Sequence, residues 1–162
     1  MTTIQYNLGG GATIALPIDI AVKQLIEQLQ TEAKATIQRP HYQIGEYLPG
    51  QGGIYAGPHF EDGKLVHLIA APESIGERKW EAGKTAAAEY RGAGFDDWFM
   101  PEKSHLMIAQ IYIKDRFEKA FHWSATPVGS TGAWYVYFED GNVYVSYRGF
   151  EFLVRPFRRF TY

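Results

Sequence analysis

Between Val22 and Ile37, apolar side chains recur three and four residues apart: Val22, Leu25, Ile26, Leu29, Ala33 and Ile37. That spacing lays one apolar stripe along a helix. Pro17 suits its first turn, Asp19 suits the positive end of its dipole, and Arg39-Pro40 stops it. Ahead of it, residues 1–16 read as two short strands around a Gly9-Gly10-Gly11 turn. The helix would pack on its own chain or join copies of it, and alone it is too short for a stable coiled coil. Two more helices are predicted. One runs from about Lys79 to Tyr90, ahead of Gly92 and Gly94; the other starts near Pro101 and ends about Tyr112, with Leu106, Ala109 and Ile113 on one side.

Elsewhere the period is two. Residues 40–58, rich in Gly, Pro and Tyr, read as a linker, although Ile54–Ala56 within them suits a strand. A hairpin with Asp62-Gly63 at its tip would join that strand to Leu65–Ile69. The last forty residues are β. A two-residue turn at Asp140-Gly141 would pair Glu139 with Asn142, Tyr137 with Tyr144, Val136 with Val145, and Tyr135 with Ser146. Side chains alternate between faces. Trp134, Val136, Phe138, Val143 and Val145 then form a core face. Tyr135, Tyr137, Tyr144 and Ser146 form a face that can be wetted, with Glu139 and Asn142 at its tip.

Composition narrows the class. The 162 residues suit one domain with a real core, and 46% hydrophobic with 21% charged residues exclude disorder. Eleven Tyr and ten Phe fit either a binding face or simply good strand formers. A net charge of −2, with Lys and Arg scattered, gives no footprint for nucleic acid. No cysteine means no disulfide, thiol nucleophile or thiolate metal site, and suits cytoplasmic synthesis. Met1–Gly11 lacks the parts of a signal peptide, and no run nears the ~20 apolar residues of a membrane span, so no membrane insertion is expected.

Candidate chemistry is thin. Gly83-Lys84-Thr85 resembles the end of a phosphate loop, but Arg78 stands where the loop needs its first glycine. The histidines at 41, 59, 67, 105 and 122 show no metal-ligand spacing. Asp96-Asp97 cannot alone supply a calcium shell, and adjacent side chains point apart, so a turn or hydrogen-bonding role is expected. Ser104-His105 and the His122/Ser124 pair lie in no nucleophile elbow. No catalytic residue, metal or cofactor is assigned, and the chain is expected not to be an enzyme.

Several runs carry a resemblance. "GGIYAG" at 52–57, "HLIAAP" at 67–72, "KWEAGKTAAAEYRGAGFDDWFMP" at 79–101 and "FHWSATPVGSTGAWYVYFEDGNVYVSYRGFEFLVRPFRR" at 121–159 are similar, in order, to the Lcl C-terminal (DUF1566) family of phage, prophage and bacterial surface proteins. Phe99-Met100 replaces the family's Arg-Leu before Pro101, and Ala125 replaces a Ser. The resemblance implies an α+β, C-type-lectin-like domain over 52–162 with two helices and a mixed/antiparallel sheet. Residues 1–51 would precede it as a strand–helix segment for attachment or oligomerisation. By resemblance, Tyr135, Tyr137, Tyr144, Ser146 and Arg148 form a recognition face, with Asn142 at its tip. Trp80, Trp98, Trp123 and Trp134 would anchor the core, and Arg155 and Arg158 would bind backbone or carboxylates.

The resulting expectation is a calcium-independent, non-enzymatic ligand-binding module of phage or prophage type. It would recognise a host surface glycan or protein, as a homo-oligomer, alone or with other tail or virion proteins. The alternatives are a virion structural or assembly protein, or an intracellular inhibitor of a host protein. Tyr137 and Tyr144 could equally be a cross-strand pair that only stabilises the hairpin.

Overall fold

The computed structural model describes residues 3–7, 13–37 and 41–161; the Gly9-Gly10-Gly11 turn and the Arg39-Pro40 stop lie outside them. The chain divides into two units, Met1–His41 and Tyr42–Tyr162. In the first, β1 (Thr3–Asn7) and β2 (Thr13–Pro17) pair antiparallel, and α1 (Ile18–Ile37) follows at once. Asp19 sits in its first turn, where the helix dipole favours a carboxylate. Ala21 is buried, whereas Val22, Leu25, Ile26 and Leu29 are exposed.

The second unit opens with β3 (Tyr47–Leu48), a strand inside the stretch expected to be a linker. It pairs with β4 (Gly53–Glu61), which turns back into β5 (Lys64–Ala70). Asp62 (φ 48°) and Gly63 (φ 75°) both take the left-handed backbone of the tight hairpin turn, so Glu61 faces Lys64. β6 (Glu77–Arg78), α2 (Trp80–Glu89) and α3 (Lys103–Tyr112) come next. Gly83-Lys84-Thr85 lies inside α2, on no phosphate-type loop. The chain closes with β7 (Phe121–Val128), β8 (Gly132–Tyr137), β9 (Val143–Tyr147), β10 (Phe152–Leu153) and β11 (Phe157–Phe160).

This architecture corrects the expected fold class, a C-type-lectin-like domain with two helices and a single mixed/antiparallel sheet. The described residues hold three α-helices, and the strands of the second unit divide between two sheets. One is four-stranded, antiparallel and open, in the order β11-β5-β4-β3; the other is mixed and five-stranded, in the order β6-β10-β7-β8-β9. The division falls at Val154-Arg155-Pro156, all buried, between β10 in one sheet and β11 in the other. Pro156 has no N–H for a ladder. Arg155 fixes the crossing: its guanidinium donates to the carbonyls of Ala71 (2.8 Å), Pro72 (2.6 Å) and Arg116, and lies 4.2 Å over the Phe117 ring.

Leu106 and Ala109 of α3, with Ile113 just past its end, fill the space between the sheets, meeting Ile54, Ala56, Leu68, Ala70, Val136 and Phe157. A second cluster joins α2 to the five-stranded sheet through Trp80, Ala87, Trp123, Ala133 and Val154. A third holds Trp98. Arg158 grips both oxygens of Asp97, at 2.7 and 3.0 Å, which is the hydrogen-bonding role expected of that aspartate. The guanidinium beside it holds the Asp97 carboxyl below its ordinary range. Trp134 departs from the core-anchor expectation: it is half-buried, with the Lys103 ammonium 4.3 Å above its ring. Among the described residues no helix is long and apolar enough to cross a membrane.

Candidate functional site

The β8–β9 hairpin is not closed by the expected two-residue turn. Tyr135 faces Tyr144, Val136 faces Val143 and Ala133 faces Ser146, two residues away from the expected register. Phe138 is the cause. Its ring leaves the ladder for the core, where it is 3% exposed and stacks on Phe117 at 4.2 Å and 5°. Its N–H goes to the Ala120 carbonyl. The turn widens, so Tyr137 N–H donates to Asn142 O and Gly141 N–H to Tyr137 O, while Asp140 Oδ1 accepts the Asn142 N–H at 2.8 Å. Only Gly141 (φ 79°) is left-handed here, whereas the Asp62-Gly63 turn uses two such residues. A slip of one residue would invert the faces; a slip of two keeps them. Tyr135, Tyr137, Tyr144 and Ser146 therefore still share a side.

That side carries a row of rings. Phe121 lies 4.6 Å from Tyr137, 5.2 Å from Tyr135 and 5.2 Å from Phe152 between centroids. Tyr135 meets Tyr144 at 5.5 Å, and Phe150 stacks near Phe152 at 6.4 Å. α2 covers one end of the face: Trp80 donates its indole N–H to Ser124 O at 2.7 Å and packs in the Trp123 cluster. Beyond that cover the rings are open, with Phe121 39%, Tyr144 40% and Phe150 58% exposed. Here a cavity of about 290 Å³ is lined by Phe121, Tyr137, Phe152, Glu77, Glu151 and Lys119.

Hydrogen bonds set the hydroxyls. Tyr137 donates to Glu139, which pushes the phenol up in pKa, and Tyr144 donates to Asp140 at 3.3 Å. Burial pushes Tyr135 up as well. The Asn142 N–H at its carboxylate holds Asp140 below its ordinary value. Asn142 itself is exposed at the tip. Arg148 belongs elsewhere. Its guanidinium lies 4.1 Å over Trp80, donates to Gly132 O (2.9 Å) and Gly129 O (3.2 Å), and borders a separate cavity of about 400 Å³ with Lys79, Ser130, Thr131 and Tyr147. Phe121, Phe152, Glu77, Glu151 and Lys119 were not singled out from the sequence. Their places on the face come from strand pairing across distant segments, which no local spacing marks.

One further cluster unites residues kept apart by spacing. His59, Glu61 and His105 have ligand atoms within 4.8 Å of one another. Their hydrogen bonding opposes metal binding. His105 Nδ1 accepts the Glu102 N–H at 3.1 Å, so its proton resides on Nε2, which donates to Glu61 at 2.7 Å. The other Glu61 oxygen accepts from Arg159. A cation would have to displace that proton and sit beside a guanidinium. Burial lowers the His105 pKa, keeping the ring neutral, and the cluster reads as a strut joining β4, α3 and β11.

The sequence matches no protein-family model and no curated protein. The geometry of the aromatic face therefore carries the functional argument.

Proposed function

We propose that the protein is a non-enzymatic ligand-binding module of phage or prophage type, holding a host surface glycan or protein on the aromatic face of its five-stranded sheet. The observation that carries this reading is the open run of rings from Phe150 and Phe152 through Phe121 to Tyr135, Tyr137 and Tyr144. Folding tends to hide contiguous apolar surface, and a rimmed patch left open marks a docking site. Tyrosine gives such a site large contact area at small entropic cost. The rim supplies polar partners in Glu77, Lys119, Glu139 and Glu151. The phage or prophage type of partner rests on the motif resemblance of residues 52–159 alone, since no family model matches the chain.

The test is binding of labelled protein to candidate bacterial cells, beside a Tyr137→Ser/Tyr144→Ser variant checked by circular dichroism. Both side chains lie partly open to solvent, so the variant is expected to fold. Binding by the wild type and its loss in the folded variant is the expected result. Equal binding by both would overturn the assignment of this face.

A further inference from the structure

The cavity on the aromatic face has walls of unequal sign. Phe121, Tyr137 and Phe152 line it with rings, Glu77 and Glu151 with carboxylates, and Lys119 with an ammonium. Among the described residues neither the Glu77 nor the Glu151 carboxylate has a hydrogen bond or ion pair to another side chain. Next to it, Glu139 accepts the Tyr137 hydroxyl and Asp140 accepts the Tyr144 hydroxyl. The phenol protons are thus turned toward acids, and the cavity meets ring surface and unpaired carboxylate. Ring faces carry negative quadrupole density and attract a cation that is weakly hydrated. Four carboxylates against one ammonium repel an anionic sugar or phosphate.

The surroundings indicate what presents that cation. β9 is an edge strand of its sheet. Tyr137 N–H bonds to Asn142 O and Arg148 N–H to Thr131 O, so by alternation the backbone groups of Val143, Val145 and Tyr147 point away from β8. Val145 is 46% and Tyr147 62% exposed along this edge. Phe150, 6.5 Å from Tyr147 and 6.4 Å from Phe152, connects the edge to the cavity. A free amine or amino sugar would use the cavity alone. A polypeptide would use the cavity, the rings and the strand edge together.

We infer that the cavity takes a basic side chain, arginine before lysine, from a protein partner laid across the aromatic face. Arginine is favoured because a planar guanidinium stacks on rings while its fork meets carboxylates. This inference rests on the reading of that face as the binding surface, and it selects protein over glycan.

The test titrates the full chain with a short capped peptide bearing one arginine, with the same peptide bearing citrulline, and with N-acetylglucosamine and glucosamine. Side-chain NMR signals of Phe121, Tyr137 and Phe152 report occupancy. The arginine peptide is expected to shift all three saturably, and citrulline to bind roughly threefold to tenfold more weakly. Glu77→Gln/Glu151→Gln should narrow that difference, and because both residues are exposed the variant keeps the fold. Equal binding of arginine and citrulline, stronger binding of either sugar, or no shift with the arginine peptide would overturn the inference. The cell-binding test separates the two readings. If Tyr137→Ser/Tyr144→Ser abolishes cell binding while citrulline matches arginine, the face stands as the binding surface and the basic side chain does not.

Discussion

Truncating Phe138 to alanine tests the physical origin of the hairpin register. The ring is 3% exposed, lies parallel to Phe117 at 4.2 Å, and meets His122 edge-on at 4.9 Å. A buried Phe→Ala change costs about 3–5 kcal/mol, because transfer energy is lost and the cavity collapses only in part. A stacked ring and an edge-on ring hold this cavity open, so the upper half of the range, about 4 kcal/mol, is expected. That is a large part of the ~5–15 kcal/mol that holds a typical domain together. Urea unfolding followed by tryptophan fluorescence reads it as a lower midpoint at unchanged slope. Phe121→Ala, at a ring 39% exposed, is the control and should cost about 1–2 kcal/mol. In the wild type, Val136 and Val143, and Trp134 and Val145, are non-hydrogen-bonded pairs, so their Hα atoms should give strong cross-strand NMR contacts. A loss below about 1 kcal/mol would refute the claim that Phe138 anchors the turn. Contacts between Val136 and Val145 in the wild type would refute the register itself.

Two other changes bear on the scaffold. His122 and Ser74 hydrogen-bond Glu118 and hold its pKa down at about 2, from an ordinary value of 4.5. Because the folded pKa is depressed, its stabilising contribution is complete above pH 4.5 and is lost as pH falls toward about 2. The side chain is 46% exposed, so solvent limits the effect to about 1 kcal/mol or less. Glu118→Gln should flatten that acid limb in pH-dependent urea unfolding, and an unchanged limb would count against the assignment. Arg155→Met should destabilise by about 3 kcal/mol, since the carbonyls of Ala71, Pro72 and Arg116 lose their donors. Burial pushes the Arg155 pKa down to about 10, which leaves it charged at neutral pH. Arg155→Lys should recover little, because an ammonium cannot reach three carbonyls in one plane. A methionine variant as stable as the wild type would refute this role.

α1 and α3 were legible because an apolar stripe needs only the 3.6-residue turn of the backbone to declare itself, and both fall where those stripes lie. The Asp62-Gly63 turn was legible too, since its two left-handed residues make the bend locally. Asp140-Gly141 has the same dipeptide and does not, because Phe138 gains more from Phe117 than the hairpin gains from a tight turn. Alternation along β8 and β9 determined which tyrosines share a side, whatever the register modulo two. Tertiary structure decided the rest. It divided the strands between two sheets at Arg155, laid Trp80 over one end of the tyrosine face, and drew Arg148 away onto that indole. It also brought Glu77, Phe121 and Phe152 around one cavity. Period is a property of neighbouring residues and is written in the chain. Which surface is covered depends on long-range burial, where segments far apart in sequence compete for the same apolar area, and no local spacing records the winner.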